Sequence, residues 1–392
     1  MNVLNLKLED LSRLSFDCEC GMHHSLNIDQ IVYGRNILEN VVKAAEKYAK
    51  GGPVLVVCDQ NTYKAYAAEV QEAFLNAGMN SSLYIFRSKH DLLPDNRQIG
   101  KMVIEVSGDI ALMVAVGSGV INDITRLVSR KMKIPYMVVC TAPSMDGYAS
   151  ATSSLIIDDI KDTIPGQLPK GIFADEEVLQ KAPGRMIKAG FGDVIGKLTA
   201  LTDWDLGVTL LQEVKCPVIT DMVNQAVNRC IENAAGVRNN DKEAVARVFE
   251  ALTIAGVTMG LNKNTRPASG AEHHLAHFWD LSAIRRNKEH ALHGESVGVG
   301  AIVISRMYEL AKDLIPQNIQ GPSSEYVRNV LLSAGAKISP SELDVSKEDF
   351  KDSLVYGYKI SPKYTVLTYL NERYPSLLKE FAEKITEECY SF

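Results

Sequence analysis

Histidine side chains cluster in two short segments of the second half of the chain, and an acidic residue, Asp193, lies in an otherwise apolar helical pattern. His273 and His277 are four residues apart in a predicted helix and share one face, whereas His274 points elsewhere. His293 belongs to the second segment. One carboxylate and two imidazoles can bind a divalent metal and leave a coordination position open, as a catalytic metal needs. An isolated helical histidine is more often a surface or core residue, so the residues alone leave both interpretations open.

A turn of small residues, Gly117-Ser118-Gly119, follows one predicted strand and precedes a predicted helix. Small residues let the backbone approach a pyrophosphate, and a helix N-terminus offers free N–H groups to it. The polar pair Asn122-Asp123 follows, and the next strand ends in the loop Thr141–Ser144. Asp59, at the end of the first strand, could accept hydrogen bonds from a ribose. A plain tight turn and a helix N-cap explain the glycine turn and Asp59 equally well.

The elements that must position these residues change in character along the chain. Short apolar runs alternate with helical patterns at first, and the predicted strands are Val54–Cys58, Leu83–Phe86, Ala111–Val116 and Tyr136–Cys140. Such alternation predicts a parallel sheet covered on both faces. Long helical patterns dominate after about residue 182. We therefore predict a Rossmann-like α/β nucleotide-binding domain at residues 1–180, an all-helical metal-binding domain at 181–392, and an active site in the cleft between them.

Bulk properties limit the class of protein. The 392 residues suffice for two domains, and a net charge of −6 without a basic cluster argues against nucleic acid as a partner. No continuous apolar run reaches the roughly 20 residues of a membrane helix, and the N-terminus has no apolar signal core. The seven scattered cysteines suit free thiols in a reducing compartment. The sequence thus predicts a cytoplasmic enzyme without membrane insertion.

The segment Cys18-Glu19-Cys20-Gly21-Met22-His23-His24 carries two thiols and two imidazoles. A structural zinc site usually draws ligand pairs from two separate turns, and no second motif of paired cysteines or histidines is evident elsewhere. The Cys20-Gly21 pair also fits a hairpin turn between strands at Arg13–Cys18 and His24–Ile28. We therefore expect a hairpin there, without a metal.

Five segments of the chain resemble the glycerol-1-phosphate dehydrogenase family, bacterial type, within the superfamily of iron-dependent alcohol dehydrogenases and dehydroquinate synthase. The segments are residues 115–123, 141–150, 190–193, 266–273 and 291–295, which read AVGSGVIND, TAPSMDGYAS, GFGD, RPASGAEH and ALHGE. The second and fourth are the most specific. Many superfamily members carry three consecutive glycines at the phosphate turn, where this chain has Ser118 in the middle.

The resemblance implies a reversible reduction of dihydroxyacetone phosphate to sn-glycerol 1-phosphate with NAD(H) or NADP(H), one divalent metal per chain (zinc or nickel), and a homodimer. It makes Asp193, His273 and His293 the metal ligands. Asp146, Asp193 and His277 would contact the small phosphorylated substrate, and His277 would also relay a proton. The implied nucleotide contacts are Asp59, Gly119, Val120, Ile121, Asn122, Asp123, Thr141, Ala142, Pro143, Ser144 and Ser150.

Other functions share part of this pattern. A glycerol or small-alcohol dehydrogenase would have the metal and the nucleotide but no phosphate site; Arg266 and Lys263 favour a phosphorylated substrate, although a solvated basic loop explains them equally well. Dehydroquinate synthase typically has Glu where Asp193 stands. A non-catalytic sensor would show a broken ligand set. The sequence leaves open the preference between NADH and NADPH, the native metal and the residues that bind the substrate phosphate.

Overall fold

The computed structural model describes residues 7–88, 92–158, 160–286 and 288–390. They form two compact units. The first contains the described residues up to Phe16 and His24–Pro183, and the second contains Asp17–His23 and the described residues from Gly184 onward. The predicted N-terminal hairpin is confirmed as a two-stranded sheet of β1 (Ser15–Asp17) and β2 (His23–Ser25).

Within the described part of the first unit, six strands form one parallel sheet. They are β3 (Gln30–Gly34), β4 (Val54–Asp59), β5 (Ser81–Phe86), β6 (Leu112–Gly117), β7 (Tyr136–Cys140) and β10 (Gly171–Asp175). Their order is β3-β10-β7-β6-β4-β5. An antiparallel pair, β8 (Thr152–Ile157) and β9 (Ile160–Pro165), forms a separate small sheet. The parallel α/β architecture is as predicted, but the apolar pattern did not indicate β3 and β10.

The central strands are short apolar runs whose residues are buried without alternation, as in β7 and in Val54–Cys58 of β4. This pattern is typical of a parallel sheet with helices on both faces. The helices of this unit are α1 (Leu38–Ala49), α2 (Gln60–Thr62), α3 (Ala68–Asn76), α4 (Asn96–Glu105), α5 (Gly119–Met132) and α6 (Glu176–Gln180). A π-helical turn at Tyr63–Ala67 joins α2 to α3. Val41 of α1 and Phe74 of α3 pack in one cluster with Val56 of β4.

The regular elements in the described part of the second unit are helices, apart from Asp17 at the end of β1 and His23 at the start of β2. Its α-helices are α7 (Gly184–Leu211), α8 (Pro217–Glu232), α9 (Ala234–Arg238), α10 (Lys242–Asn262), α11 (Ala271–Arg285), α12 (His293–Leu310), α13 (Ser324–Ser333), α14 (Lys347–Tyr356), α15 (Val366–Arg373) and α16 (Pro375–Tyr390). By length and composition α10 could cross a membrane, which the search for apolar runs overlooked. However, 72% of its apolar window is buried inside the protein, as in a core helix.

Candidate functional site

Three helices of the second unit bring together the predicted metal ligands. Asp193 comes from α7, His273 from α11 and His293 from α12. One ligand atom from each lies within 4.8 Å of the other two. The carboxylate of Asp193 is fully buried, and the ring of His273 nearly so. A carboxylate with two imidazoles suits zinc, nickel or iron, so the donor set fits the metal that the sequence pattern indicates.

The close approach of α7 and α12 places Asp193 next to His293. Gly192 on α7 and Gly294 on α12 each adjoin a ligand residue, and the two backbones touch there. A Cβ atom at Gly294 would overlap the carbonyl group of Ala189, and one at Gly192 would overlap the carbonyl group of Gly294. Only glycine therefore permits this helix crossing at its observed separation.

Glu272 holds the ring of His273. The two side chains form a hydrogen bond of 2.8 Å between His273 Nδ1 and Glu272 Oε1. With the proton on Nδ1, the lone pair of Nε2 is available on the side facing Asp193 Oδ1, 3.7 Å away. Burial lowers the pKa of His273 well below its ordinary value, and the nearby charge of Lys197 lowers it further. A neutral imidazole is the form that binds a metal.

Lys197 and Glu272 are charged residues beside the cluster. Apart from their positions near the ligands, nothing in the sequence indicates that they support it. Lys197, one helical turn after Asp193, donates a hydrogen bond of 2.5 Å from Nζ to Asp193 Oδ1, and both side chains are buried. Burial raises the pKa of Glu272, as does the neighbouring negative charge of Asp203. The cluster is therefore supported by buried groups that compensate its charges.

His277 lies beside the cluster, as the shared helix face predicts. Its ring centroid is 5.4 Å from that of His293 and 6.3 Å from that of His273. A second possible ligand group, His277, Asp280 and His293, overlaps the first. Asp280 is buried on α11 and was not singled out from the sequence. His274 belongs to neither group, and burial lowers its pKa to about 3.

Arg266 is not a solvated side chain available to a substrate phosphate. It is buried, and its guanidinium forms two hydrogen bonds with the carboxylate of Glu213, including one of 2.7 Å to Oε2. The guanidinium also donates a third hydrogen bond, of 2.7 Å, to the carbonyl oxygen of Tyr364. The guanidinium thus stabilises the interior of the second unit. Arg266 therefore no longer supports the expectation of a phosphorylated substrate, which rested on Arg266 and Lys263.

The predicted nucleotide-binding residues of the first unit lie at one edge of the parallel sheet. β4, β6 and β7 are neighbours and end at Asp59, Gly117 and Cys140. The N–H of Thr141 donates to the carbonyl of Gly117 at 3.1 Å, which joins the loops after β6 and β7. Gly119, Val120 and Ile121 form the first turn of α5, whose N–H groups have no intrahelical acceptors. Such an edge can hold a phosphate group.

Asp59 caps the helix that follows β4. Its Oδ1 accepts hydrogen bonds from the backbone N–H of Asn61 at 2.8 Å and of Thr62 at 2.7 Å. The side chain of Thr62 also bonds Oδ1, at 3.1 Å. These bonds all end on Oδ1, so the N-cap function leaves Oδ2 for a further partner, and the two interpretations of Asp59 are compatible.

The side chains of Asn122 and Asp123 face the protein interior. Asn122 donates to the carbonyl of Gly147 at 3.3 Å, and Asp123 accepts from the N–H of Ser154 at 3.2 Å. Ser144 bonds Ser118 through their hydroxyl groups at 2.5 Å. Of the other predicted contacts, Ala142 and Pro143 are buried, Asp146 and Ser150 are half-buried, and Ser150 bonds Thr152. Residues 141–150 thus form one loop after β7, which side chains of α5 and of Ser118 hold in place.

Arg126 fixes that loop, and the sequence pattern did not single it out. The side chain is fully buried and donates to Asp123 Oδ1 and to the carbonyl of Thr152, both at 2.7 Å. It also bonds the hydroxyl of Tyr136 at 2.9 Å and the carbonyl of Gly147. One guanidinium thus connects α5, β7 and the loop after β7.

We expect Arg126→Lys to raise the KM for the nucleotide at least about tenfold while kcat changes less. Lysine keeps the charge but not the planar set of donors, so carbonyl groups that Arg126 satisfies lose their partners, at about 1–3 kcal/mol each. Steady-state kinetics with varied NADH and NADPH measure the effect. Arg130→Lys is the matched control, because Arg130 is exposed one turn later on α5 and donates only to Gly166 in the described structure. An unchanged KM in Arg126→Lys would show that the loop does not bind nucleotide.

Comparisons with known proteins agree with this architecture. A family model described as iron-containing alcohol dehydrogenase matches residues 32–183. Glycerol dehydrogenase from Schizosaccharomyces pombe superposes with a TM-score of 0.69 at 18% identity, covering 92% of this chain and 89% of that one. An alcohol dehydrogenase from an archaeal halo-thermophile of a Red Sea brine pool gives 0.68 at 14% identity, covering 95% and 100%. The fold is therefore that of the iron-type alcohol dehydrogenases.

Relatives at higher identity define the family more narrowly. Glycerol-1-phosphate dehydrogenase (NAD(P)+) from Geobacillus thermodenitrificans is 31% identical over 399 residues, covering 94% of this chain and 98% of the relative. The enzyme of the same name from Thermococcus kodakarensis is 31% identical, covering 91% and 94%. The chain belongs to the glycerol-1-phosphate dehydrogenase family, and it is an NAD(P)-dependent oxidoreductase.

Proposed function

We propose that this protein catalyses the reversible reduction of dihydroxyacetone phosphate to sn-glycerol 1-phosphate with NADH or NADPH. The observation that carries the proposal is the convergence of Asp193, His273 and His293 in a chain of the glycerol-1-phosphate dehydrogenase family. Glu272 and Lys197 support these ligands by hydrogen bonds to His273 and Asp193, as the surroundings of a metal site commonly do.

Asp193, His273 and His293 would hold one divalent metal, zinc or nickel. When bound, such an ion supplies a Lewis acid for the oxygen at the reacting carbon. Glu272 keeps His273 in the tautomer that presents Nε2, and Lys197 balances the charge of Asp193. His277, half-buried beside two of these residues, would hold the proton exchanged with the substrate oxygen. Asp193, His277 and Asp146 are the proposed substrate contacts.

The sheet edge of the first unit would bind the nucleotide. The N–H groups of Gly119, Val120 and Ile121 would face the phosphates, and Oδ2 of Asp59 would accept a hydrogen bond from a ribose hydroxyl. Asn122 and Asp123 would act mainly by holding the loop in place, because their side chains bond protein groups. The remaining proposed contacts are Thr141, Ala142, Pro143, Ser144 and Ser150.

We further infer a cytoplasmic homodimer, by resemblance to the bacterial members of the family. The buried position of α10 supports a protein that is not inserted in a membrane. Whether the active site lies in a cleft between the two domains, at residues 1–180 and 181–392, stays a prediction.

The substrate is tested with metal-reconstituted enzyme and the loss of absorbance of each reduced nucleotide. We expect kcat/KM for dihydroxyacetone to be at least about 10³-fold lower than for its phosphate, because an empty phosphate site forfeits several kcal/mol of transition-state binding. In the reverse direction, sn-glycerol 1-phosphate should be oxidised and its mirror image, sn-glycerol 3-phosphate, should not. Comparable kcat/KM for dihydroxyacetone and its phosphate would assign the chain to glycerol dehydrogenase chemistry instead.

A further inference from the structure

Three cysteines of the second unit converge away from the proposed catalytic cluster. Cys18 and Cys20 lie in the loop between β1 and β2, and Cys216 immediately precedes α8. Their sulfur atoms all lie within 4.8 Å of one another, and the sulfur atoms of Cys18 and Cys216 are 3.4 Å apart. The sequence interval of nearly 200 residues conceals this convergence, which is why the pattern around Cys18 indicates no second ligand segment.

The spacing of these sulfur atoms matches a tetrahedral thiolate site. Zinc–sulfur bonds of about 2.3 Å put neighbouring ligand sulfurs about 3.8 Å apart in a tetrahedron. The sulfur atoms of Cys18 and Cys216, 3.4 Å apart, are close to that separation, and the other two sulfur pairs lie within 4.8 Å. The ligands now come from two separate chain segments, as closed structural zinc sites require.

The backbone that carries Cys18 and Cys20 forms a tight turn. Cys18 N–H donates to the carbonyl of Met22 at 3.2 Å, and Gly21 N–H donates to the carbonyl of Cys18 at 3.0 Å. Gly21 has a φ of +81°, a conformation that L side chains rarely adopt. Cys216 is held at the start of α8, where Pro217 occupies the first turn and Thr220 N–H donates to the carbonyl of Cys216 at 3.0 Å.

A disulfide explains the cluster less well than a metal does. The sulfur atoms of Cys18 and Cys216 are 3.4 Å apart and not bonded, and a disulfide of about 2.05 Å between them would leave the third thiol unused. Weak thiol hydrogen bonds alone give little reason for three cysteines to meet at one point. A single ion bound by all three thiolates explains the convergence directly.

We propose that Cys18, Cys20 and Cys216 are three of the four ligands of a structural zinc ion. His23 in the same hairpin is a poor candidate for the fourth, because it is exposed and bonds Asp17 at 2.8 Å. The zinc ion ties the hairpin loop to the start of α8 and replaces the expectation of a metal-free hairpin.

Cobalt substitution tests this site independently of activity. Cobalt bound by thiolates gives a sulfur-to-cobalt charge-transfer band in the near ultraviolet, whereas the Asp193, His273 and His293 cluster has no sulfur ligand. We expect the full chain, purified without metal under reducing conditions and loaded with two equivalents of Co²⁺, to show this band. Cys216→Ala should weaken it strongly, Cys18→Ala with Cys20→Ala should abolish it, and added Zn²⁺ should displace it. Cys230→Ala is the matched control, since Cys230 is buried on α8 outside the cluster.

Zinc content gives a second readout. In His273→Ala, which lacks the catalytic ion, about one zinc per chain should remain, and it should leave in the Cys216→Ala background. An absent charge-transfer band in the cobalt-loaded wild-type chain, or an unchanged band in Cys216→Ala, would overturn the proposal.

Discussion

His273→Ala should abolish the oxidoreductase activity and release the catalytic metal. The substitution removes one of three ligands and also leaves Glu272 without its imidazole partner in a buried site. Loss of a metal that polarises the substrate removes several kcal/mol of transition-state stabilisation, so we expect kcat/KM to fall at least about 10³-fold. The measurements are steady-state kinetics with dihydroxyacetone phosphate and elemental analysis of the purified variant.

His274 provides a matched control on the same helix. Its two ring nitrogens have no hydrogen-bond partner in the described structure, and its side chain is buried outside the ligand cluster. His274→Leu conserves the volume and should keep both metal and activity, with a change in stability below about 1.5 kcal/mol. A His273→Ala protein that retains its full catalytic metal would show that His273 is not a ligand.

Gly294→Ala should destabilise the second unit by about 3 kcal/mol or more and reduce activity in parallel. The new methyl group would overlap the backbone of Ala189 on α7, which cannot rotate away as a side chain could. Either the helices separate or the backbone distorts, and both outcomes displace His293 from Asp193. The expected loss outweighs the gain of about 1 kcal/mol that alanine brings to a helix.

Thermal and urea unfolding followed by circular dichroism measure this change. Gly100→Ala is the control, because Gly100 lies within α4 and a Cβ atom there meets nothing within 4 Å. That variant should be neutral or more stable by up to about 1 kcal/mol. If Gly294→Ala unfolds like the wild type and keeps its activity, the two helices do not depend on glycine for their separation.

The convergence of Asp193, His273 and His293 could be anticipated because each lies in a segment that resembles a family motif. His273 and His277 lie one helical turn apart, and the residues flanking Asp193 and His293 form recognisable segments. The supporting groups were harder to find. Lys197 and Arg126 read as ordinary basic residues in helical patterns, and only the fold shows that both are buried beside carboxylates.

The strands likewise differ in whether the nearby sequence is enough to predict them. The strands from β4 to β7 each have a continuous apolar run followed or preceded by a helical pattern, so periodicity identifies them. The strands β3 and β10 contain apolar runs of only three residues, at 31–33 and 172–174, and each pairs with a strand far away in the chain. Cys216 was missed for the same reason, since one cysteine before a proline carries no signal until the hairpin loop meets it.

The order of the sheet has a consequence for the chain as it leaves the ribosome. β3 is made early, but among the described strands it pairs only with β10, whose register joins Gly171 to Gln30 across roughly 140 residues. At about 5–20 residues per second, the stretch from Cys140 to Asp175 takes a few seconds to synthesise. During that interval β7 presents an unpaired edge and β3 has no place in the sheet. The nascent first unit therefore has a window of exposure to aggregation, in which a chaperone could bind it, that ends only when β10 is inserted.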